Sequence, residues 1–218
     1  MTHRYLSLLV FLLAFSMPAY SDDVVFSNLG PGNSFSNIST VFSGAGSGFG
    51  QSVLAVGFTP SGNFTLTQIG VGLTYAFGGN SAILSLDSSS GGLPDGTIES
   101  WTVSGLPVFP NTTILQTVMP VSTVSLVSGT QYWIVVGPGA NSTNAGWNRS
   151  LIDFTSPRAG SFNGGSSFVP ASFPPGALEV LGNPVGNEVP EPTSLVLVTI
   201  GIVGIEMALR RQVRHPVK

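Results

Sequence analysis

The chain has 218 residues, of which 42% are hydrophobic and only 8% charged, and it contains no cysteine and two histidines. Without cysteine there is neither a disulfide framework nor a thiolate metal site. His3 and His215 lie near the two ends, so Ser-His-Asp and Cys-His catalysis have no histidine or cysteine to work with in the body of the chain.

Between Asp22 and Asn187 the basic residues are Arg149 and Arg158, against Asp22, Asp23, Asp87, Asp95, Glu99, Asp153 and Glu179. A net negative body with two scattered arginines carries no electrostatic footprint for nucleic acid. Gly, Ser, Thr and Asn take the place of the missing charges, and Val, Ile, Phe and Trp recur in short runs. That combination predicts β-structure with many turns rather than a disordered stalk.

At the start of the chain, His3 and Arg4 precede an apolar run of twelve residues, Leu6 to Met17, followed by Pro18-Ala19-Tyr20-Ser21. A basic start, a short apolar stretch and small residues before a cleavage point make a secretory signal peptide over 1–21. Twelve residues of helix reach only about 18 Å, short of a ~30 Å hydrocarbon layer.

Val24-Val25-Phe26 predicts the first strand, and Asn28 to Ser34 is turn chemistry. The glycine-rich Gly44–Gly50 segment lacks the following Lys and helix of a phosphate loop, so it reads as a turn. Gln51 to Phe58 predicts a strand. In Phe64–Thr67 the apolar residues fall on even numbers, and in Ile69–Leu73 on odd ones. Side chains in a strand alternate with period two, so this flip at Gln68-Ile69 predicts a bulge or a sheet-switching bend.

Ala82 to Asp87 and Thr97 to Val103 predict strands on either side of a loop over Ser88–Gly96. Further strands are expected over 113–118, 121–127 and 131–136. Tyr132 to Val136 is apolar on both parities, the mark of a central strand buried on both faces. Ala145 to Asn148 and Ala177 to Leu181 complete about ten short strands at 8–12-residue spacing. The fold class expected is all-β, an antiparallel β-sandwich resembling a jelly roll, over 22–182, with a Pro/Gly linker at 183–188.

Carboxylates are the remaining chemistry. Asp87, Asp95 and Glu99 gather around one predicted loop, and a carbohydrate-active enzyme needs two carboxylates facing a sugar. Turn aspartates are also common for local hydrogen bonding. Asp87 with the Ser88–Ser90 run offers oxygen ligands to Ca²⁺, although the loop lacks the spacing of a dedicated site. Trp147, beside Asn148 and Arg149, is the best candidate for an exposed sugar-stacking aromatic, with Asn148 as a second glycan contact. Trp133, inside an apolar run, reads as core. Nothing calls for a cofactor. Five N-x-[ST] sequons occur, at Asn37, Asn63, Asn111, Asn141 and Asn148.

The C-terminal segment has three parts in order: Val189-Pro190-Glu191-Pro192-Thr193-Ser194, an apolar stretch from Leu195 to Leu209, and Arg210-Arg211. The apolar stretch is fifteen residues, about 22 Å as a helix. It predicts a short transmembrane helix over 195–209, with Arg210 and Arg211 as a cytoplasmic stop and 215–218 as a cytoplasmic tail. Glu206 lies one turn before Arg210, an i,i+4 pairing that lets the carboxylate reach the interface. A lipid-anchor signal would end apolar rather than basic.

These three elements resemble the PEP-CTERM sorting signal of bacterial exported proteins, over 189–214. The resemblance implies recognition of Pro190, Glu191 and Pro192 by a membrane transpeptidase, an exosortase, that cuts near them. Upstream, Ser27–Ser34, Gly91-Gly92-Leu93-Pro94, Gly129–Trp133 and Gly146-Trp147-Asn148 resemble the choice-of-anchor class of bacterial surface domains, which implies a β-rich module without an assigned ligand.

Taken together, the expectation is an exported protein. It would sit transiently in the inner membrane through the C-terminal helix and then reach the cell surface or extracellular matrix. There it would act as a non-enzymatic structural or adhesive module, with an exopolysaccharide as a candidate partner. The alternative is a carbohydrate-active enzyme using Asp87, Asp95 or Glu99.

Overall fold

The computed structural model describes residues 22–110, 114–153 and 155–186. The signal peptide (1–21) and the sorting segment (189–214) lie outside the described residues. The chain divides into two units after Val185.

The first unit is built from β1 (Asp23–Ser27), β2 (Ser39–Ser43), β3 (Val53–Phe58), β4 (Phe64–Val71), β5 (Leu73–Phe77), β6 (Ser81–Ser90) and β7 (Leu93–Ser104). It continues with β8 (Gln116–Val118), β9 (Ser125–Leu126), β10 (Tyr132–Pro138), β11 (Asn144–Asn148), β12 (Arg158–Ser161), β13 (Val169–Pro170) and β14 (Leu178–Pro184). The all-β class and the antiparallel pairing of these strands agree with the sequence.

The sandwich does not. The strands form three sheets that do not close into a two-layer sandwich or barrel. One sheet of six runs β13-β12-β3-β10-β6-β7, one of five runs β1-β14-β4-β8 with β9 also on β4, and one of three runs β2-β11-β5.

The reason lies at Gly72, between β4 and β5. Its N–H donates to the Ala177 carbonyl (3.1 Å) and its carbonyl accepts from Asn148 N–H (2.7 Å). These bonds end the β4 ladder and carry the chain from the five-stranded sheet into the three-stranded one. A Cβ at this position would meet the Ala177 methyl and the Phe35 ring, each at 3.1 Å, which is where a side-chain-free residue is needed. The parity flip read at Gln68-Ile69 has its counterpart one residue earlier. In the β14–β4 ladder Leu181 faces Gln68 and Gly182 faces Leu66, so Thr67 is the extra, bulged residue.

A single core lies under all three sheets. It takes Leu54, Val56 and Phe58 from β3, Leu84 and Leu86 from β6, Ile134 and Val136 from β10, Ile69 and Val71 from β4, and Phe42 and Trp147 from the small sheet. Tyr132 to Val136 is buried throughout, as its apolar run predicts. Its even-numbered residues face this core, and Trp133 and Val135 face a second, smaller cluster with Val53, Ala55 and Ala159 on the outer side.

Two local readings change. Ser88–Gly96 is not an open loop: β6 and β7 extend through it and meet at Gly91-Gly92, both at positive φ (58° and 78°). Two left-handed residues in succession match the right-handed twist of a hairpin. At the other end, β14 runs on through Asn183 and Pro184, which pair with Thr65 and Phe64, so these two linker-like residues belong to the sheet.

No helix among the described residues is long and apolar enough to cross a membrane. The transmembrane helix expected over 195–209, the membrane attachment and the transient inner-membrane location built on it are corrected accordingly. The stretch itself lies outside the described residues, as do Arg210 and Arg211.

Candidate functional site

Among the carboxylates, Asp87 stands apart. It pairs with Thr97 across the β6–β7 hairpin, while its neighbour Leu86 pairs with Glu99. Successive residues of a strand point to opposite faces and paired residues share a face, so Asp87 and Glu99 lie on opposite sides of the sheet. Glu99 is engaged locally: its carboxylate accepts hydrogen bonds from Val121 N–H and from the Ser122 hydroxyl. Asp95 is exposed near the hairpin tip. The three carboxylates are thus not gathered on one cleft.

Trp147 and Asn148 are both fully buried. The Trp147 indole N–H donates to the Ala177 carbonyl at 3.0 Å, and its ring lies against Gly176. Stacking on a sugar needs an exposed ring face, and neither side chain reaches the surface of the described residues. Pro190, Glu191 and Pro192 lie outside those residues.

One cavity lies on the outer face of the six-stranded sheet. It has a volume of about 290 Å³ and is lined by Gln51, Val53, Ile83, Ser85, Asp87, Thr97, Val135 and Phe168, with Gly164 and Gly165 at the rim. The strands explain the lining: Val53, Ser85, Asp87 and Val135 project on the side away from the main core. The β12–β13 hairpin supplies the rim. Its turn is pinned by Ser161 Oγ, which accepts from Gly165 N–H (2.9 Å), and by Asn163 Oδ1, which accepts from Ser167 N–H (3.0 Å). Gln51 and Phe168 reach this site from distant parts of the chain, and no local sequence pattern marks either of them.

Asp87 is 4% exposed, and its Oδ1 has no hydrogen-bond partner. Burial pushes its carboxyl above the usual carboxylate range, offset in part by the neighbouring Ser85 and Thr97 hydroxyls. Burial also raises Glu179 on β14. Asp153 goes the other way. Burial would raise it, but hydrogen bonds from Ser156, from the Thr155 and Ser156 N–H groups and from Asn28 outweigh that and hold it low.

The pH dependence has opposite signs for these groups. A raised carboxyl binds its proton more tightly folded than unfolded, so its contribution to stability grows as pH falls through the folded value toward about 4. Asp153 contributes stability above about pH 4 that is lost as pH falls through its lowered value. Asp87→Asn keeps the shape and removes the cost of a buried charge. It is expected to raise the melting temperature at pH 7 by about 2–4 °C, with the gain shrinking at pH 3.5. Calorimetry at both pH values checks this; a lower melting temperature at pH 7 would count against an uncompensated charge at this site.

A second concavity, about 340 Å³, lies over the three-stranded sheet and is lined by Ile38, Val41, Thr74, Ala76, Phe109 and Ala145 among others. No titratable side chain lines it. Among the described residues, no group of three or more His, Asp or Glu side chains is placed to hold a metal ion, and the Asp87 loop read as a Ca²⁺ candidate is a strand hairpin.

Comparison with known proteins finds no match to the chain among curated proteins. Residues 188–212 match the family described as a PEP-CTERM protein-sorting motif. The match covers the three-part tail from Glu188 to Gln212, including Pro190, Glu191, Pro192, Arg210 and Arg211, and does not extend into the β-sheet unit.

Proposed function

We propose that this protein is an exported surface or matrix component. In this reading its β-unit is a non-enzymatic structural or adhesive module of the choice-of-anchor kind, delivered by exosortase-type processing at Pro190-Glu191-Pro192. The observation that carries the proposal is the match of residues 188–212 to a PEP-CTERM protein-sorting motif. The separation of Asp87, Asp95 and Glu99 supports the non-enzymatic part, since hydrolysis of a glycosidic bond needs two carboxylates facing one substrate. The low charge and the glycine- and serine-rich strands fit a surface module whose contacts are made by backbone and hydroxyl groups.

The roles of the sorting residues follow from their chemistry. Proline lacks an N–H donor and has a restricted backbone, so two prolines at 190 and 192 lower the entropy a recognising groove has to remove. Glu191 between them supplies one negative charge at a defined point. Replacing Pro190, Glu191 and Pro192 together by alanine in the natural host is expected to stop processing, so that the unprocessed form accumulates and the surface fraction falls at least about tenfold. Immunoblots of cell and surface fractions measure this. Processing at the normal rate in the triple variant, or in cells lacking the exosortase, would refute the sorting role.

A further inference from the structure

The cavity around Asp87 contains a group that the sorting function does not use. The Asp87 Oδ1 is buried without a hydrogen-bond partner, which is costly, and the Ser85 and Thr97 hydroxyls of the lining offset the burial of this carboxylate only in part. Arg149 and Arg158 are the basic residues of the described chain, and neither lines the cavity. A group that brings hydrogen-bond donors and a positive charge complements this lining.

The walls narrow the choice further. Ser85 and Gln51 add two further oxygens able to accept hydrogen bonds to the lining, while Val53, Val135 and Phe168 are apolar. A primary ammonium has three N–H donors and no acceptor. It suits a lining that offers Asp87, Ser85 and Gln51 as acceptors, and an unbranched methylene chain suits the apolar walls. A neutral sugar brings donors but no charge, and its ring of hydroxyls would leave some of them against Val53, Val135 and Phe168 without partners. An anion is excluded by the carboxylate.

We propose that this cavity binds a primary ammonium on an unbranched alkyl chain, the chemistry of a lysine side chain of a partner protein, with Asp87 as its counter-charge. The site is independent of how the C-terminal tail is processed. It makes the β-unit a receptor for a projecting lysine on a neighbouring surface protein.

The test titrates the full chain with Nα-acetyl-lysine methylamide, its isostere Nα-acetyl-norleucine methylamide, and glucosamine, read by calorimetry and by methyl NMR. The lysine probe is expected to bind and to shift the Val53, Ile83 and Val135 methyl resonances, and the norleucine probe to do neither. Asp87→Asn should weaken lysine binding about ten- to hundredfold, while Asp95→Asn leaves it unchanged. The wild-type comparison of lysine with norleucine stands even where a variant folds poorly. Absence of lysine binding, shifts confined to other residues, equal binding by norleucine, or unchanged affinity in a folded Asp87→Asn variant would overturn the proposal. Tighter binding of glucosamine than of lysine would overturn it in favour of an amino sugar.

Discussion

Gly176→Ala is expected to lose about 3 kcal/mol of stability, the upper end for overpacking a core and a large share of the roughly 5–15 kcal/mol that holds a domain together. A Cβ at Gly176 would overlap the Trp147 indole at Cε2, Cδ2 and Nε1. The ring has nowhere to retreat. Trp147 is fully buried, it packs in the main core with Phe42 and Leu73, and its N–H is committed to the Ala177 carbonyl.

Moving the indole would break that bond and open the junction where Ala177 also binds Gly72 and Asn148 through its backbone (3.1 and 2.6 Å). Since Gly72 is the point at which the chain changes sheets, the damage extends to both the five-stranded and the three-stranded sheet. Chemical denaturation followed by tryptophan emission measures the loss, with the emission moving to longer wavelength as Trp147 becomes wet. Stability within about 0.5 kcal/mol of wild type, the usual range for a surface change, would show that this contact does not hold the sheets together.

The second large effect is expected at Asn28. This residue is 2% exposed, and its side chain joins three segments remote in sequence. Its Oδ1 accepts from Leu178 N–H (2.7 Å), and its Nδ2 donates to the Gly176 carbonyl (2.9 Å) and, more weakly, to Asp153 Oδ2 (3.4 Å). Its own carbonyl accepts from the Ser150 hydroxyl at 2.6 Å, and Ser150 Oγ in turn accepts from the N–H groups of Ile152 and Asp153.

Asn28→Ala leaves a buried N–H and a buried carbonyl without partners, each costing about 1–3 kcal/mol, so a total loss of about 2–6 kcal/mol is expected. Asn28→Asp should also be destabilising: it keeps the acceptor, loses the donor and adds negative charge beside Asp153. The exposed Asn37→Ala should change little. Urea denaturation of the three variants makes the comparison. Equal stability of Asn28→Ala and Asn37→Ala would mean that water replaces the amide.

The strands were largely readable from the residues because their signals are local. The two-sided apolar run of Tyr132 to Val136 marks the central strand β10, and the parity change near Gln68 marks the bulge at Thr67. The arrangement of sheets was not readable, because it turns on Gly72, whose neighbours Phe35 and Ala177 lie far away in the chain. The Ser88–Gly96 segment misleads for a different reason. Its serines, glycines and aspartate have turn chemistry, yet only Gly91 and Gly92 make the turn and the others pair across the hairpin.

Trp147 stands out in the sequence as the candidate for an exposed aromatic because Asn148 and Arg149 follow it, although aromatics in such a fold are more often core. The polar Asn148 is itself buried, with its backbone bound to Gly72 and Ala177 and its side-chain amide unpartnered. Asp87 could be noticed in the sequence. The cavity around it could not, since Gln51, Val135 and Phe168 come from three separate parts of the chain. The sorting tail is the opposite case, a contiguous signal in which each residue type and its order are visible at once.

The central claim is that the chain is exported and cut at its sorting motif. Intact-mass measurement of the protein taken from the surface of its natural host tests this most directly. The expected mature species begins at Asp22 and ends close to Pro190–Pro192, without residues 195–218, apart from any group attached at the new end. A surface protein whose mass includes the chain through Lys218 would contradict the account.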